Sequence, residues 1–140
     1  MGKWIETYRG SIFPWHCDHM GHMNVMYYTH FFDQAAGHLL SACGYKWTEM
    51  GEQRLGFADV KHVVEYKAEQ KGGGPIILES AVLKRGRTSM ICTHRMINPE
   101  TGELAATSEV TTIYFDLDAR KSLPLREDTW PLIDALIVSD

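Results

Sequence analysis

The fold of this chain is decided by residues 16–43, which read HCDHMGHMNVMYYTHFFDQAAGHLLSAC. From Tyr27 onward, pairs of aromatic and aliphatic residues recur about one helical turn apart, which predicts a helix with a broad apolar face running to Cys43. Asn24 stands where a side-chain oxygen can cap the first turn, and Gly44 stands where a left-handed residue commonly ends a helix. This stretch therefore predicts one long helix that is buried on one face.

The remainder of the chain has the residue patterns of β-strands. Apolar and polar residues alternate from Trp4 to Phe13, which predicts a first strand that stops at Pro14. Four further strands are predicted after Gly56, at residues 60–68, 76–83, 88–97 and 104–115. Because a strand, a helix and four turn-connected strands follow one another, the sequence predicts an α+β fold with a mainly antiparallel sheet and the helix on one face.

Length and composition limit the possible classes of protein. The 140 residues, 44% of them hydrophobic, suit a single domain over 1–140, with an irregular C-terminal tail at 117–140. No apolar run approaches the roughly 20 residues that span a bilayer, and a formal net charge of −4 predicts no basic face for nucleic acid. Three cysteines in unlike contexts indicate free thiols in a reducing compartment. We therefore expect a soluble, cytoplasmic protein that binds neither membranes nor nucleic acid.

The segment before the predicted helix is the only one in which ionisable and nucleophilic side chains crowd together. Its possible metal ligands are His16, Cys17, Asp18, His19 and His22. They lack the paired Cys-x-x-Cys and helical His-Glu-x-x-His spacings, so we expect no metal. Cys17 is a candidate nucleophile beside imidazoles and a helix start, but neighbours in an extended segment usually point apart, and a small buried side chain is the alternative.

Asp18 is the strongest candidate for chemistry in this segment. It precedes the Asn24 cap by a few residues, so the chain after Gly21 can bring its carboxylate near the first-turn amides around Val25 and Met26. Those amides lack partners within the helix and carry partial positive charge, which suits them to bind the oxyanion of a substrate carbonyl. A carboxylate beside an oxyanion site indicates acyl chemistry. The alternative is that Asp18 only accepts hydrogen bonds within its own turn, and the spacing alone leaves both open.

The run Asp18-His19-Met20-Gly21-His22-Met23-Asn24, followed by Tyr27-Tyr28, resembles the Asp-x-x-Gly-His-x-Asn…Tyr pattern of the 4-hydroxybenzoyl-CoA thioesterase-like family of hotdog-fold acyl-CoA thioesterases. The resemblance covers most of the chain, and the tail after about Leu117 has no clear counterpart. It implies a hotdog fold, in which a curved, mainly antiparallel five-stranded sheet wraps around one long central helix. It also implies a homodimer or homotetramer with active sites at the subunit interface.

The resemblance further implies an acyl-CoA thioesterase that releases free acid and CoA. The family's catalytic carboxylate falls on Asp18, as nucleophile or general base, and its oxyanion donor falls on the main-chain amide of Val25, with Gly21 and His22 shaping the turn. Residues expected to bind substrate are Asn24, Tyr27, Tyr28, Phe31, Arg85 and Arg87. The helix aromatics are alternatively core residues, and the two arginines are alternatively solvated turn charges. No cofactor is expected, because CoA is part of the substrate.

Two other functions remain open at this point. A hotdog hydratase or dehydratase would use an acidic residue with a histidine, His22 or His19, on an acyl thioester. A non-catalytic module would bind acyl-CoA or an acyl carrier on the same fold, since fold alone does not decide function. The position of Asp18 relative to the helix favours hydrolysis over hydration.

Overall fold

The fold is a strongly bent antiparallel sheet packed around one long helix. A computed structural model describes residues 3–139. The elements are β1 (Ile5–Ser11), α1 (Val25–Ala42), α2 (Trp47–Gln53), β2 (Leu55–Tyr66), β3 (Pro75–Arg85), β4 (Ser89–Ile97), β5 (Leu104–Asp116), β6 (Lys121–Ser122) and α3 (Trp130–Asp134). The five long strands are ordered β1-β3-β4-β5-β2, all antiparallel, and β6 adds a two-residue pairing to β5. The predicted α+β hotdog architecture is therefore confirmed.

Irregularities in strand pairing bend the sheet around α1. The register shifts between Glu6 and Tyr8, between Asp59 and Lys61, and between Val82 and Lys84. A fourth shift lies between Met96 and Ile97 in the β4–β5 pairing, so each of the four pairings among the five long strands contains one. Such bulges bend a strand and increase its twist. The sheet thereby presents a concave face to the helix.

The apolar face of α1 joins two clusters of core residues. Near its start, Phe31 and Phe32 pack with residues of β3, β4 and β5. Near its end, Leu39 and Leu40 pack against a second cluster that includes Leu125 and other residues of the C-terminal segment. Burying side chains of this size stabilises the fold by roughly 1.5–3 kcal/mol each before entropy is counted. The helix is thus fixed along its whole length.

Two segments differ from the sequence expectation. The helix α2 was not predicted, because it has only seven residues, contains Gly51, and has no side-chain cap at Lys46. The tail expected to be irregular contains β6 and α3 and buries Ile133 and Leu136 in the core. Between residues 3 and 139, no helix is both long enough and apolar enough to cross a membrane.

The strand β2 forms an edge of the sheet and is mostly exposed. Within residues 3–139 it pairs with β5 alone, and a bulge follows Asp59. Val60, Val63 and Tyr66 lie 58%, 44% and 53% exposed. An exposed apolar edge strand is an unusual feature in an isolated domain, because it can pair with another chain.

A row of polar side chains crosses the concave face beneath α1. Thr7 Oγ1 and Ser80 Oγ are hydrogen-bonded at 2.7 Å, and Ser80 Oγ lies 2.6 Å from Nδ1 of the fully buried His94. On the next strands, His62 Nε2 lies 2.6 Å from Ser108 Oγ, opposite His94. Burial, with a smaller contribution from the nearby His62, lowers the pKa of His94 to about 4.

This lowered pKa makes stability depend on pH. The folded protein keeps His94 neutral, whereas the unfolded chain protonates it below about 6.5, so the free energy of unfolding should fall as the pH drops from 6.5 towards 4. The slope attributable to His94 is at most about 1.4 kcal/mol per pH unit. In His94→Gln the slope should be smaller, because glutamine can still bond Ser80 but does not titrate. Urea unfolding over a pH series measures both slopes, and equal slopes would contradict the prediction.

Candidate functional site

Asp18 sits in a tight turn that its own carboxylate stabilises. Its backbone amide donates to the carbonyl of His22 (2.9 Å), and the amide of Gly21 donates to the carbonyl of Asp18 (3.0 Å). Oδ1 of Asp18 accepts from the amides of Met20 (2.9 Å) and, more weakly, His22 (3.4 Å). Gly21 has a φ of +81°, a value that glycine adopts without strain. These bonds hold the carboxylate in one orientation.

The turn leads directly into the start of α1. The amide of Asn24 donates to the carbonyl of His16 (2.8 Å), and the amide of Met23 donates to the carbonyl of Gln70 (2.7 Å). Oδ1 of Asn24 accepts from the amide of Met26 (3.1 Å), which confirms the predicted helix cap. The side-chain oxygen of Asn24, a residue expected to bind substrate, is therefore already used in the cap.

A cleft of about 280 Å³ opens between this turn and the segment that follows β2. Its lining residues are Asp18, Met20, His22, Met23, Val25, Tyr28, Tyr66, Lys67, Ala68 and Glu69. The structure thus brings together four of the predicted site residues, namely Asp18, His22, Val25 and Tyr28. The cleft also contains Tyr66, Lys67 and Glu69, three positions that no motif marks in the sequence.

His22 connects the two sides of the cleft. Its Nε2 lies 3.3 Å from Oε2 of Glu69, and its backbone forms a β-bridge with Lys71. Its Nδ1 is buried and has no hydrogen-bond partner within residues 3–139. A histidine held at one nitrogen and unpaired at the other keeps a free polar atom next to the site.

The other predicted substrate-binding residues lie outside the cleft. Phe31 is 3% exposed and belongs to the core, because it projects from the face of α1 that packs on the sheet. The ring of Tyr27 packs edge-on against His16 at 4.8 Å. Arg85 forms two hydrogen bonds with the carboxylate of Asp134, at 2.7 and 3.0 Å, and stacks over a tryptophan ring of α3. Arg87 is exposed in the turn between β3 and β4.

The remaining side chains of the segment have structural roles or face solvent. Nδ1 of the buried His16 accepts from the amide of Phe13 (2.9 Å), and burial lowers the pKa of His16, with a smaller effect of His30. The thiol of Cys17 lies 3.7 Å from the carbonyl oxygen of Phe13, and His19 is exposed. Across residues 3–139, no three histidine, cysteine or acidic side chains converge in a way that suits a metal ion.

Comparison with known proteins places this geometry in a family. Residues 13–131, which make up most of the chain, match the family model of the thioesterase-like superfamily. The chain belongs to the thioesterase-like superfamily. The betainyl-CoA thioesterase of Pseudomonas aeruginosa is 21% identical over 136 residues, which are 97% of this chain and 86% of that protein.

Solved structures support the same fold. A Staphylococcus aureus protein in complex with CoA matches with a TM-score of 0.88 and 17% identity, covering 100% of this chain and 90% of that one. The 1,4-dihydroxy-2-naphthoyl-CoA thioesterase of Synechocystis matches with a TM-score of 0.82 and 15% identity, covering 96% and 98%. The family predicted from the Asp18–Asn24 motif is confirmed, and membership supports thioester hydrolase as the enzyme class.

The conformation of Gly21 generates a prediction about stability. A Cβ at this position would touch nothing within 4 Å, so Gly21→Ala should destabilise only through its left-handed backbone, by about 1 kcal/mol. The matched control is Gly51→Ala in α2, where a Cβ also meets nothing within 4 Å but the backbone is helical. That change should stabilise by up to about 1 kcal/mol. Urea unfolding of both variants compares them, and equal effects would contradict the argument.

Proposed function

We propose that this protein hydrolyses small acyl-CoA thioesters, with Asp18 as the reacting carboxylate and the amide of Val25 as the oxyanion donor. The observation that carries the proposal is that Asp18 and the first turn of α1 line one cleft. Turn amides occupy Oδ1 of Asp18, whereas Oδ2 accepts no hydrogen bond from residues 3–139. Likewise, the amide of Val25 donates to no other residue of that range. A nucleophilic oxygen and an oxyanion donor are thus both available to a substrate.

The chemistry required of these groups is modest. The carbonyl oxygen of the thioester takes negative charge in the transition state, and the amide of Val25 at the positive end of α1 stabilises that charge. The CoA thiolate is a good leaving group, so departure needs no strong acid. In one route Oδ2 of Asp18 attacks the carbonyl carbon, the C–S bond breaks, and water hydrolyses the resulting anhydride. In the other route Asp18 takes a proton from water as the water attacks the carbonyl carbon, and the C–S bond then breaks to release the CoA thiolate and the free acid.

The size of the cleft suits a short acyl group. A volume of about 280 Å³ is at the lower end of the range for small-molecule sites. The named relatives act on betainyl-CoA and on 1,4-dihydroxy-2-naphthoyl-CoA, which also carry compact acyl groups. We propose that Tyr28 contacts the acyl group and that Arg87 contacts the phosphates of CoA. Arg85, already paired with Asp134, contributes less charge to the phosphates.

A second copy of the chain would complete this site. Tyr66 belongs both to the exposed edge strand β2 and to the cleft wall. Pairing of β2 with β2 of another subunit would cover Val60 and Val63 and satisfy the free strand edge. It would also close the open side of the cleft. We therefore propose a homodimer, or a homotetramer built from two such dimers, with active sites at the interface.

The catalytic proposal predicts a specific loss of activity. Asp18→Asn keeps the shape of the side chain and an oxygen that can accept the hydrogen bonds of the turn, but it removes the reacting carboxylate. Release of CoA should therefore fall at least about 100-fold. Cys17→Ser should remain active. Activity is measured as free thiol released from a panel of short acyl-CoAs.

The matched control is Asp118→Asn, which removes an exposed carboxylate paired with Arg54 and outside the cleft. It should keep native activity. Normal turnover by folded Asp18→Asn would refute the assignment, and loss confined to Cys17→Ser would move the nucleophile to sulfur. Binding of acyl-CoA without turnover by the native protein would favour the non-catalytic module.

The assembly proposal is tested on the edge strand. Val63→Lys places a charge on the apolar edge and should shift the protein towards monomer, with a parallel loss of activity. The matched control is Leu132→Lys in α3, because Leu132 is 47% exposed and Val63 is 44% exposed, and Leu132 lies outside β2. This control should leave the assembly unchanged. Sedimentation velocity reports the mass of the native protein and of both variants. A native protein that sediments as a monomer would contradict the proposed interface.

A further inference from the structure

We propose that the cleft selects acyl groups that carry a positive charge, such as a quaternary ammonium group close to the thioester. This inference rests on the proposed thioesterase function and concerns the same site. It is based on five of the side chains that line the cleft beyond Asp18, namely two tyrosines, two methionines and Glu69, which stand beside His22, Lys67 and two small apolar residues. That combination recognises a cation and is poorly suited to an anion.

The aromatic part of the cleft is held rigidly. The rings of Tyr66 and Tyr28 meet at 90° with centroids 5.1 Å apart, so the buried Tyr28 supports a Tyr66 ring that remains half exposed. The face of a tyrosine ring attracts cations, and quaternary ammonium groups are bound in this way. Met20 and Met23 add polarizable thioethers to the same wall. A trimethylammonium group would therefore find both apolar contact and a negative ring face.

The charged part of the cleft is acidic. Glu69 and Asp18 both line it, and the carboxylate of Glu69 is 73% exposed and contacts only the imidazole of His22. Among residues 3–139 the lysine or arginine that lines the cleft is Lys67, and its ammonium lies 3.6 Å from the carboxylate of Glu65. The positive charge is thus partly compensated outside the site, whereas no lysine or arginine of residues 3–139 forms an ion pair with Glu69.

The two carboxylates have different tasks under this proposal. Asp18 is fixed by its turn and acts at the carbonyl carbon, so it is unavailable to balance charge on the acyl group. Glu69 lies on the opposite side of the cleft, after β2, and would pair with a cation there. A neutral acyl group would strip water from Glu69 without replacing the lost interactions, and an anionic one would be repelled. Glu69 and Tyr66 are therefore the residues that determine specificity.

The experiment uses two substrates of the same shape. Trimethylglycyl-CoA carries a quaternary nitrogen where tert-butylacetyl-CoA, its uncharged isostere, carries a quaternary carbon. The ammonium group also makes its thioester more reactive in buffer, so the useful quantity is a double ratio. For the native protein, kcat/KM of the charged substrate is divided by kcat/KM of the neutral substrate, and this ratio is then divided by the same ratio for a variant. The difference in intrinsic reactivity between the two substrates cancels in the double ratio, and so does any general effect of the variant on His22.

For Glu69→Gln the double ratio should be at least about threefold, since a partly exposed charge pair has that strength. Tyr66→Leu should give a similar value, whereas Tyr66→Phe, which keeps the ring, should stay near one. The matched control is Glu52→Gln, an exposed carboxylate of α2 outside the cleft, also expected near one. Raising the ionic strength should reduce the preference of the native protein for the charged substrate.

The outcomes separate this inference from the function on which it rests. Hydrolysis of both substrates with a double ratio near one for Glu69→Gln would overturn the charge selectivity and leave the thioesterase proposal intact. An equal effect of Glu52→Gln would also overturn it, because the selectivity would then come from overall charge. Failure of the native protein to release CoA from either substrate and from the whole acyl-CoA panel would overturn both proposals together.

Discussion

The site depends on how the backbone of residues 16–24 is tied down before α1 begins. The amide of Asn24 is bonded to the carbonyl of His16, which closes the segment into a loop, and the amide of Met23 is bonded to the carbonyl of Gln70, which attaches the loop to the chain after β2. Without these two bonds, the carboxylate of Asp18 would have no fixed position relative to the helix start. With them, a flexible polar segment becomes one wall of a cleft.

The same bonds explain why the opposite wall is acidic and aromatic. The chain that receives the bond from Met23 at Gln70 is the continuation of β2, so Tyr66 and Glu69 are carried into the cleft by backbone pairing and not by side-chain attraction. The β-bridge between His22 and Lys71 adds to this pairing. The position of α1 is in turn set by its buried aromatic face, so the orientation of its first amides depends on the core.

Much of this could be predicted from the sequence, and the successes share a physical cause. The helix α1, its cap at Asn24 and the turn at Gly21 depend on short-range patterns, which periodicity and residue preference express directly. The antiparallel sheet follows from alternating runs and turn residues. Asp18 could be singled out because its motif is contiguous, and the structure places it in the wall of the cleft. Membership of the thioesterase-like superfamily then confirmed the fold that this motif implied.

What could not be predicted depends on long-range pairing. Nothing in the sequence distinguishes Glu69 from the other glutamates, and long-range backbone pairing of Met23 with Gln70 and of His22 with Lys71 brings it opposite Asp18. Arg85 had the character of a free turn charge until α3 placed Asp134 beside it, and α3 itself carries no strong helix signal. An acidic protein that is to bind the phosphates of CoA gains little from its overall charge of −4. Under the proposed function, recognition must therefore come from local contacts. In the described residues the cleft brings two carboxylates and a tyrosine pair together with one partly neutralised lysine.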